Sequence, residues 1–239
     1  MKETIEKLKD DKQYYGEYGK GFLSASDIKS LLENPSKFKQ TETTLPMVIG
    51  RYFHTMMLEP DKLDEFPVID VATRNNKAYR EVSNGEIILL QKEVDEMSML
   101  ADKMKSNMDI FNMIYEEGNH YEVPMVKKIH GEMWKGKCDI LASNKIIDIK
   151  TTGDITKFKS SAWAYNYDAQ AYLYQELFIL PMVFIVGCKK TLQLSVFNCS
   201  PEFIDRGRDK VLDAIISWRK FFGPNATEDV NNYYSKSIL

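Results

Sequence analysis

Gly136-Lys137-Cys138-Asp139-Ile140-Leu141, a short gap, and then Lys145-Ile146-Ile147-Asp148-Ile149-Lys150 decide how this sequence reads. The two runs are short strands, and the gap residues Ala142-Ser143-Asn144 are small and polar, as a hairpin connection requires. On a strand, side chains at i and i+2 share a face. Asp148 and Lys150 therefore project together, Ile147 and Ile149 turn to the core, and Asp139 on the neighbouring strand reaches the same spot. Two carboxylates beside one ammonium suit a hard divalent cation. They also suit hydrolysis of a phosphodiester: the metal positions and activates water, and the lysine offsets developing negative charge. Taken alone, Asp-x-Lys is equally the pattern of a solvated ion pair on an edge strand, so the rest of the chain decides.

The chain has 239 residues, enough for one sizeable core. It is 44% hydrophobic and 28% charged, an ordinary globular balance. A net charge of -3 excludes a surface coated in positive charge for indiscriminate nucleic-acid binding, though not a local basic groove around an acidic site. Cys138, Cys188 and Cys199 have no CxxC spacing, so a reduced, cytoplasmic protein without a disulfide framework is expected. Met1 to Lys7 is charged and has no signal-peptide character, and no apolar run approaches membrane-spanning length.

Residues 1–22 read as a polar arm carrying Tyr14, Tyr15 and Tyr18, either loosely packed or in contact with a substrate or subunit. Ser24 with Asp27 reads as a helix N-cap pair, Ile28, Leu31 and Leu32 as its apolar stripe, and Asn34-Pro35 as its stop. A second helix runs from Pro46 to Leu58, with His54 among apolar residues at helical spacing. Residues 61–85 read as irregular, and Arg74, Lys77 and Arg80 there serve either a solvated loop or phosphate contacts. A strand-like run at Glu86–Leu90 leads into helices at Gln91–Ser106 and Met108–Glu116. Strands follow at Tyr121–Ile129, Glu132–Leu141 and Lys145–Thr151, then one helix from Asp154 to Phe178, strands at Met182–Lys189 and Leu192–Asn198, and a last helix from Pro201 to Phe222. This order gives a mixed α/β (α+β) fold with a helical N-terminal half. It divides into the arm, one domain over 23–223 and a polar tail over 224–239.

Four separated signals fall in one order: Leu23-Ser24-Ala25-Ser26 with Asn34-Pro35-Ser36-Lys37-Phe38; Gly50-Arg51-Tyr52-Phe53-His54 with Leu58-Glu59-Pro60; Gly136-Lys137-Cys138-Asp139 with Ile147-Asp148-Ile149-Lys150-Thr151; and Gln170-Ala171-Tyr172-Leu173-Tyr174. Together they resemble the PD-(D/E)xK nuclease superfamily, and most of all its phage and prophage exodeoxyribonuclease VIII branch, relatives of lambda exonuclease. The resemblance covers about Leu23 to Trp218. It implies a restriction-endonuclease-like core sheet flanked by helices, and a magnesium- or manganese-dependent deoxyribonuclease. Asp139 and Asp148 would bind metal, Lys150 would stabilise the transition state, and His54 would complete the metal shell, with the Ile149 carbonyl and Glu122 as further ligands. Gln170 and Tyr174, one turn apart on a helix, match a motif that contacts DNA and the active-site edge. Lys157 and Arg74 are further candidate DNA contacts.

Asn34 stands where iron–sulfur relatives carry a cysteine, and three cysteines cannot form a four-cysteine cluster within one chain. No iron–sulfur cluster is therefore expected. Lys127, Lys128, Lys135, Lys137, Lys157 and Lys159 surround the acidic pair in sequence as candidate groove lysines. Trp163, Tyr165, Tyr167 and Tyr172 are expected mostly in the core, with one or two free to stack on a base. The expected function is an exonuclease acting on duplex ends in phage-type recombination, with an annealing protein as partner and a ring-like homo-oligomer as assembly. The alternatives are a structure-specific or single-strand endonuclease of this fold, and a binding module without chemistry.

Overall fold

The computed structural model describes residues 1–40 and 42–234. Eleven helices occur among them: α1 (Lys2–Lys7), α2 (Asp11–Tyr15), α3 (Glu17–Lys20), α4 (Ile28–Glu33), α5 (Leu45–Leu58), α6 (Lys77–Ser83), α7 (Gln91–Ser106), α8 (Met108–Tyr115), α9 (Phe158–Ala164), α10 (Tyr167–Phe178) and α11 (Pro201–Phe221). The strands are β1 (Val68–Ile69), β2 (Leu89–Leu90), β3 (His120–Ile129), β4 (Glu132–Leu141), β5 (Ile146–Thr152), β6 (Met182–Cys188) and β7 (Leu194–Asn198).

Strands β3 to β7 form one sheet in sequence order. β3, β4 and β5 run antiparallel, β5 and β6 run parallel, and β7 returns antiparallel. The β5–β6 crossover passes through α9 and α10, because a parallel pair needs a long connection. β5 and β6 are both interior strands, covered on each face, which explains near-continuous apolar runs where an exposed strand would alternate. β3 and β4 meet through His130-Gly131, both at positive φ (49° and 93°), the backbone of a two-residue hairpin turn.

One sheet face packs on α4, α9, α10 and α11, burying Trp134, Phe158, Leu173, Leu177, Phe184 and Val211. The other packs on α5, α7 and α8, burying Phe53, Met57, Met97, Leu100, Ile147 and Ile149. Met97 and Met104 of α7 and Met113 of α8 fill this second layer, as flexible thioethers do, while Met99 and Met108 are exposed. Glycines set the closest approaches. A Cβ on Gly136 would lie 2.6 Å from Leu177 Cδ1, so α10 rides directly on β4. A Cβ on Gly187 would lie 2.6 Å from Met104 Cε on the opposite face.

Several expectations change. The segment 61–85 is not wholly irregular: it contains β1, which pairs parallel with β2, and α6, whose N-cap Asn76 accepts from Ala78 N–H. The expected helix from Asp154 to Phe178 is broken into α9 and α10 at Asn166, whose φ of 57° leaves the helical region. The arm is helical over much of its length: Leu8 and Tyr14 are buried against Val126 of β3, and Leu23 bonds to the backbone of Met133 and Lys135. Of the tail, the Tyr233 hydroxyl donates to the Glu33 carbonyl at 3.2 Å, while Ile238 and Leu239 lie outside the described residues. No helix among the described residues is long and apolar enough to cross a membrane.

Candidate functional site

The ladder between β4 and β5 holds for two pairs, Ile140–Ile147 and Leu141–Ile146, and then opens. The next opposed residues are Asp139 and Asp148. The Asp139 carboxylate closes the gap in place of the ladder: its Oδ2 accepts from Ile149 N–H at 2.8 Å. The same Oδ2 lies 3.3 Å from His54 Nδ1, brought in by α5 from one side of the sheet. From the other side α10 delivers Gln170, whose Nε2 donates to Asp148 Oδ1 at 2.6 Å. Lys150 Nζ lies 2.6 Å from Asp148 Oδ2. That contact is an ion pair without hydrogen-bond alignment, and Oδ2 has no hydrogen-bond donor among the described residues. Ile147 and Ile149 join the layer of α5, α7 and α8 while Ile146 joins the opposite one, so the i, i+2 alternation expected of β5 is present.

Glu122 faces this notch from β3. It holds φ at 50°, a left-handed conformation rare for a strand glutamate and costing about 1–3 kcal/mol. Ligand atoms of His54, Glu122 and Asp139 all lie within 4.8 Å of one another. Like charges this close are unfavourable, and they push the carboxyl groups apart in acidity. Burial and the Asp139 charge push Glu122 above the usual carboxylate range. Burial, reinforced by Asp139, also raises Asp148 in spite of Lys150. Burial would raise Asp139 too, but His54 and Lys150 hold it low. Burial pulls His54 down, yet Asp139 lifts it to about 9. Three carboxyl groups thus crowd around one lysine and one histidine. Hard oxygen donors with one imidazole fit a divalent cation, and His54, Glu122 and Asp139 lie close enough together to share one, with Asp148 beside them across the opened ladder.

The expected site residues divide. Asp139, Asp148, Lys150, His54, Gln170 and Glu122 converge, and Ile149 meets Asp139 through its backbone. Tyr174 does not open onto the site as a DNA contact: its hydroxyl donates to the Lys137 carbonyl at 2.9 Å and accepts from Lys137 N–H at 3.3 Å, tying α10 to β4. Arg74 is engaged elsewhere, with its guanidinium on both oxygens of Glu93 at 2.7 and 2.6 Å. Lys157 is exposed on the surface. Of the remaining groove lysines, Lys127 donates to the Glu176 carbonyl at 2.6 Å, Lys135 to the Tyr14 carbonyl, and Lys137 pairs with Asp11 of α2. Of Trp163, Tyr165, Tyr167 and Tyr172, expected mostly in the core with one or two free, Trp163 and Tyr165 are the exposed pair. Sequence reasoning left Tyr167 without a role at the site; Lys150 Nζ lies 4.9 Å from its ring centroid. The only signal was its place three residues before Gln170.

No curated protein matches the sequence significantly. A crystal structure described as "Putative exonuclease" from Eubacterium rectale has 16% identity and a TM-score of 0.65, covering 96% of this chain and 95% of that one. At that identity the likeness is one of fold. A second structure, SSO0001, has 14% identity and a TM-score of only 0.33, over 79% of this chain and 83% of its own. The model of the family described as "PDDEXK-like domain of unknown function (DUF3799)" matches residues 21–216. With its mixed α/β fold and its paired strand carboxylates beside a lysine, the chain belongs to this family and to the PD-(D/E)xK nuclease superfamily.

Proposed function

We propose that this protein is a magnesium- or manganese-dependent deoxyribonuclease that works inward from duplex ends. One observation carries the reading: Asp148 is clamped between Lys150 and Gln170 while Asp139, opposite it across the opened ladder, is fixed by Ile149 and His54. A module that only bound DNA would not need a buried, undercompensated carboxylate pair.

A divalent cation would be held by His54, Glu122 and Asp139, with Asp148 and the Ile149 carbonyl as further ligands, and when bound it would supply an activated water and positive charge at the phosphoryl oxygen. Lys150 supplies a fixed positive charge where the phosphoryl group gains negative charge. The burial of Lys150 matters here, because a charge in a water-poor site acts more strongly than in bulk water. Gln170 holds Asp148 in one rotamer, so the carboxylate does not reorganise during reaction. Ile149 N–H and His54 do the same for Asp139.

Exonuclease action is favoured by the scarcity of base-reading elements. Beside the site, the described residues show no exposed helix rich in Arg, Asn and Gln of the kind that reads a major groove. Specificity then comes from access to an end. A role in phage-type recombination, with an annealing partner and a ring-like oligomer, extends the reading from the sequence resemblance. Incubating end-labelled linear duplex and covalently closed circular duplex with the protein and magnesium tests the mode. Linear duplex degraded to short products with intact circles is the expected outcome. Cutting of closed circles at discrete sites would establish the endonuclease alternative instead.

A further inference from the structure

Trp163 and Tyr165 are 57% and 62% exposed, although residues of this apolar area are usually largely covered. They lie at the end of α9 and in the bend before α10. The Tyr165 and Tyr167 ring centroids are 5.9 Å apart, and Lys150 Nζ lies 4.9 Å from Tyr167. Tyr167, which also packs on Phe184 at 5.8 Å, thus joins the site lysine to the exposed Tyr165.

This exposure is held in place by the fold. Lys210 of α11 donates to the Trp163 carbonyl at 3.2 Å, to Asn166 Oδ1 at 2.8 Å and to Asp168 Oδ1 at 3.0 Å, pinning the bend. Asp168, fully buried, accepts from Arg206 Nε at 2.6 Å. The Arg206 guanidinium in turn lies 4.0 Å from the Trp163 ring centroid. One side of the indole rests on a cation, and the residue is still more than half open. Lys159, exposed, sits one turn before Trp163 on the same helix. Open aromatic faces interleaved with cations suit unpaired bases with their phosphates. A blunt duplex offers phosphates but keeps its base faces stacked away.

The geometry points to a stacking surface for single-stranded DNA formed by Trp163 and Tyr165, flanked by Arg206 and Lys159, with Tyr167, whose ring packs on Phe184, linking it to Lys150. This deepens the nuclease reading and rests on it: the substrate held at the site is a strand with unpaired nucleotides next to the scissile phosphate.

Fluorescence anisotropy with a short labelled oligothymidylate and a blunt duplex of equal length, in EDTA so that nothing is cut, tests it. Trp163→Ala and Tyr165→Ala should each weaken oligothymidylate binding about tenfold, and affect the blunt duplex far less. Trp163→Phe should restore most of the affinity, and Ile216→Ala, an exposed apolar residue elsewhere on α11, should change nothing. Unchanged oligothymidylate affinity in both alanine variants overturns the stacking surface, as does a wild-type protein with no oligothymidylate affinity. Magnesium-dependent digestion of linear duplex by the wild type is read in parallel. Cutting without aromatic-dependent binding leaves the nuclease and removes the stacking surface; aromatic-dependent binding without cutting keeps the stacking surface and removes the nuclease.

Discussion

Asp168 and Asp148 are both closed off from solvent, at 0% and 2% exposed, and their surroundings are opposite. Asp168, at the start of α10, receives Arg206, Lys210 and its neighbour's backbone N–H of Ala169, so every side of the carboxylate meets a donor. Asp148, reached by the same helix two residues later through Gln170, has one neutral donor and one ion contact, and faces Asp139 across the strand gap. A buried carboxylate that only holds helices together is neutralised by cations of its own chain. A buried carboxylate left short of positive charge costs stability, and such local conflicts collect at functional sites.

Exchanging each acid for its amide breaks that comparison most severely. Asp148→Asn should lower cleavage of linear duplex about 100- to 1000-fold. The thermal midpoint of the metal-free protein should hold or rise, since a crowded charge is removed. Asp168→Asn leaves Arg206 and Lys210 facing an amide and should lower stability in urea by about 2–4 kcal/mol, the low end reflecting their partial exposure. Its folded fraction should lose much less activity than Asp148→Asn. If Asp148→Asn unfolded the protein and Asp168→Asn only silenced it, the two regions would have been assigned the wrong way round.

The sequence made half of this contrast legible. Strand alternation places Asp148 beside Lys150, and the polar gap at Ala142 to Asn144 brings Asp139 back to meet them, because these are contacts between near neighbours. What was not legible depends on packing between distant segments. Helical spacing puts Tyr174 on the face of Gln170, but Gly136 lets α10 approach so closely that the Tyr174 hydroxyl bonds to the backbone of β4. Arg74 meets Glu93 across a segment that holds α6 and β2, and the Glu93 carboxylate also receives Leu90 N–H at 2.9 Å. Lys137 meets Asp11, which lies 126 residues earlier. No local pattern marks such partners. The break at Asn166 was hidden for another reason: the apolar spacing of α9 and α10 continues across it, while a single left-handed residue redirects the chain and leaves Trp163 and Tyr165 outside.

Gln170 sharpens the comparison because it touches Asp148 without touching Asp139. Gln170→Ala frees the Asp148 carboxylate to rotate and should slow cleavage about 10- to 100-fold, with thermal stability almost unchanged. A wild-type rate in that variant would show that Asp148 is positioned by its strand alone. The smallest effect is expected from His54. His54→Ala should raise the magnesium concentration needed for half-maximal rate by about tenfold, with little change in melting temperature. A large drop in melting temperature with unchanged magnesium dependence would assign His54 to packing between α5 and the sheet.

The most direct measurement is the rate of linear-duplex digestion by wild-type protein and Lys150→Ala, each stripped with EDTA and then supplied with magnesium or manganese. Lys150 carries the charge proposed to stabilise the transition state, and its removal leaves the apolar side of β5 untouched. A divalent-metal-dependent nuclease gives no digestion in EDTA, recovery on adding metal, and a loss of about 100- to 1000-fold in the variant. Digestion that persists in EDTA, or a Lys150→Ala protein that cuts at the wild-type rate, would contradict the assignment of this notch as the active site.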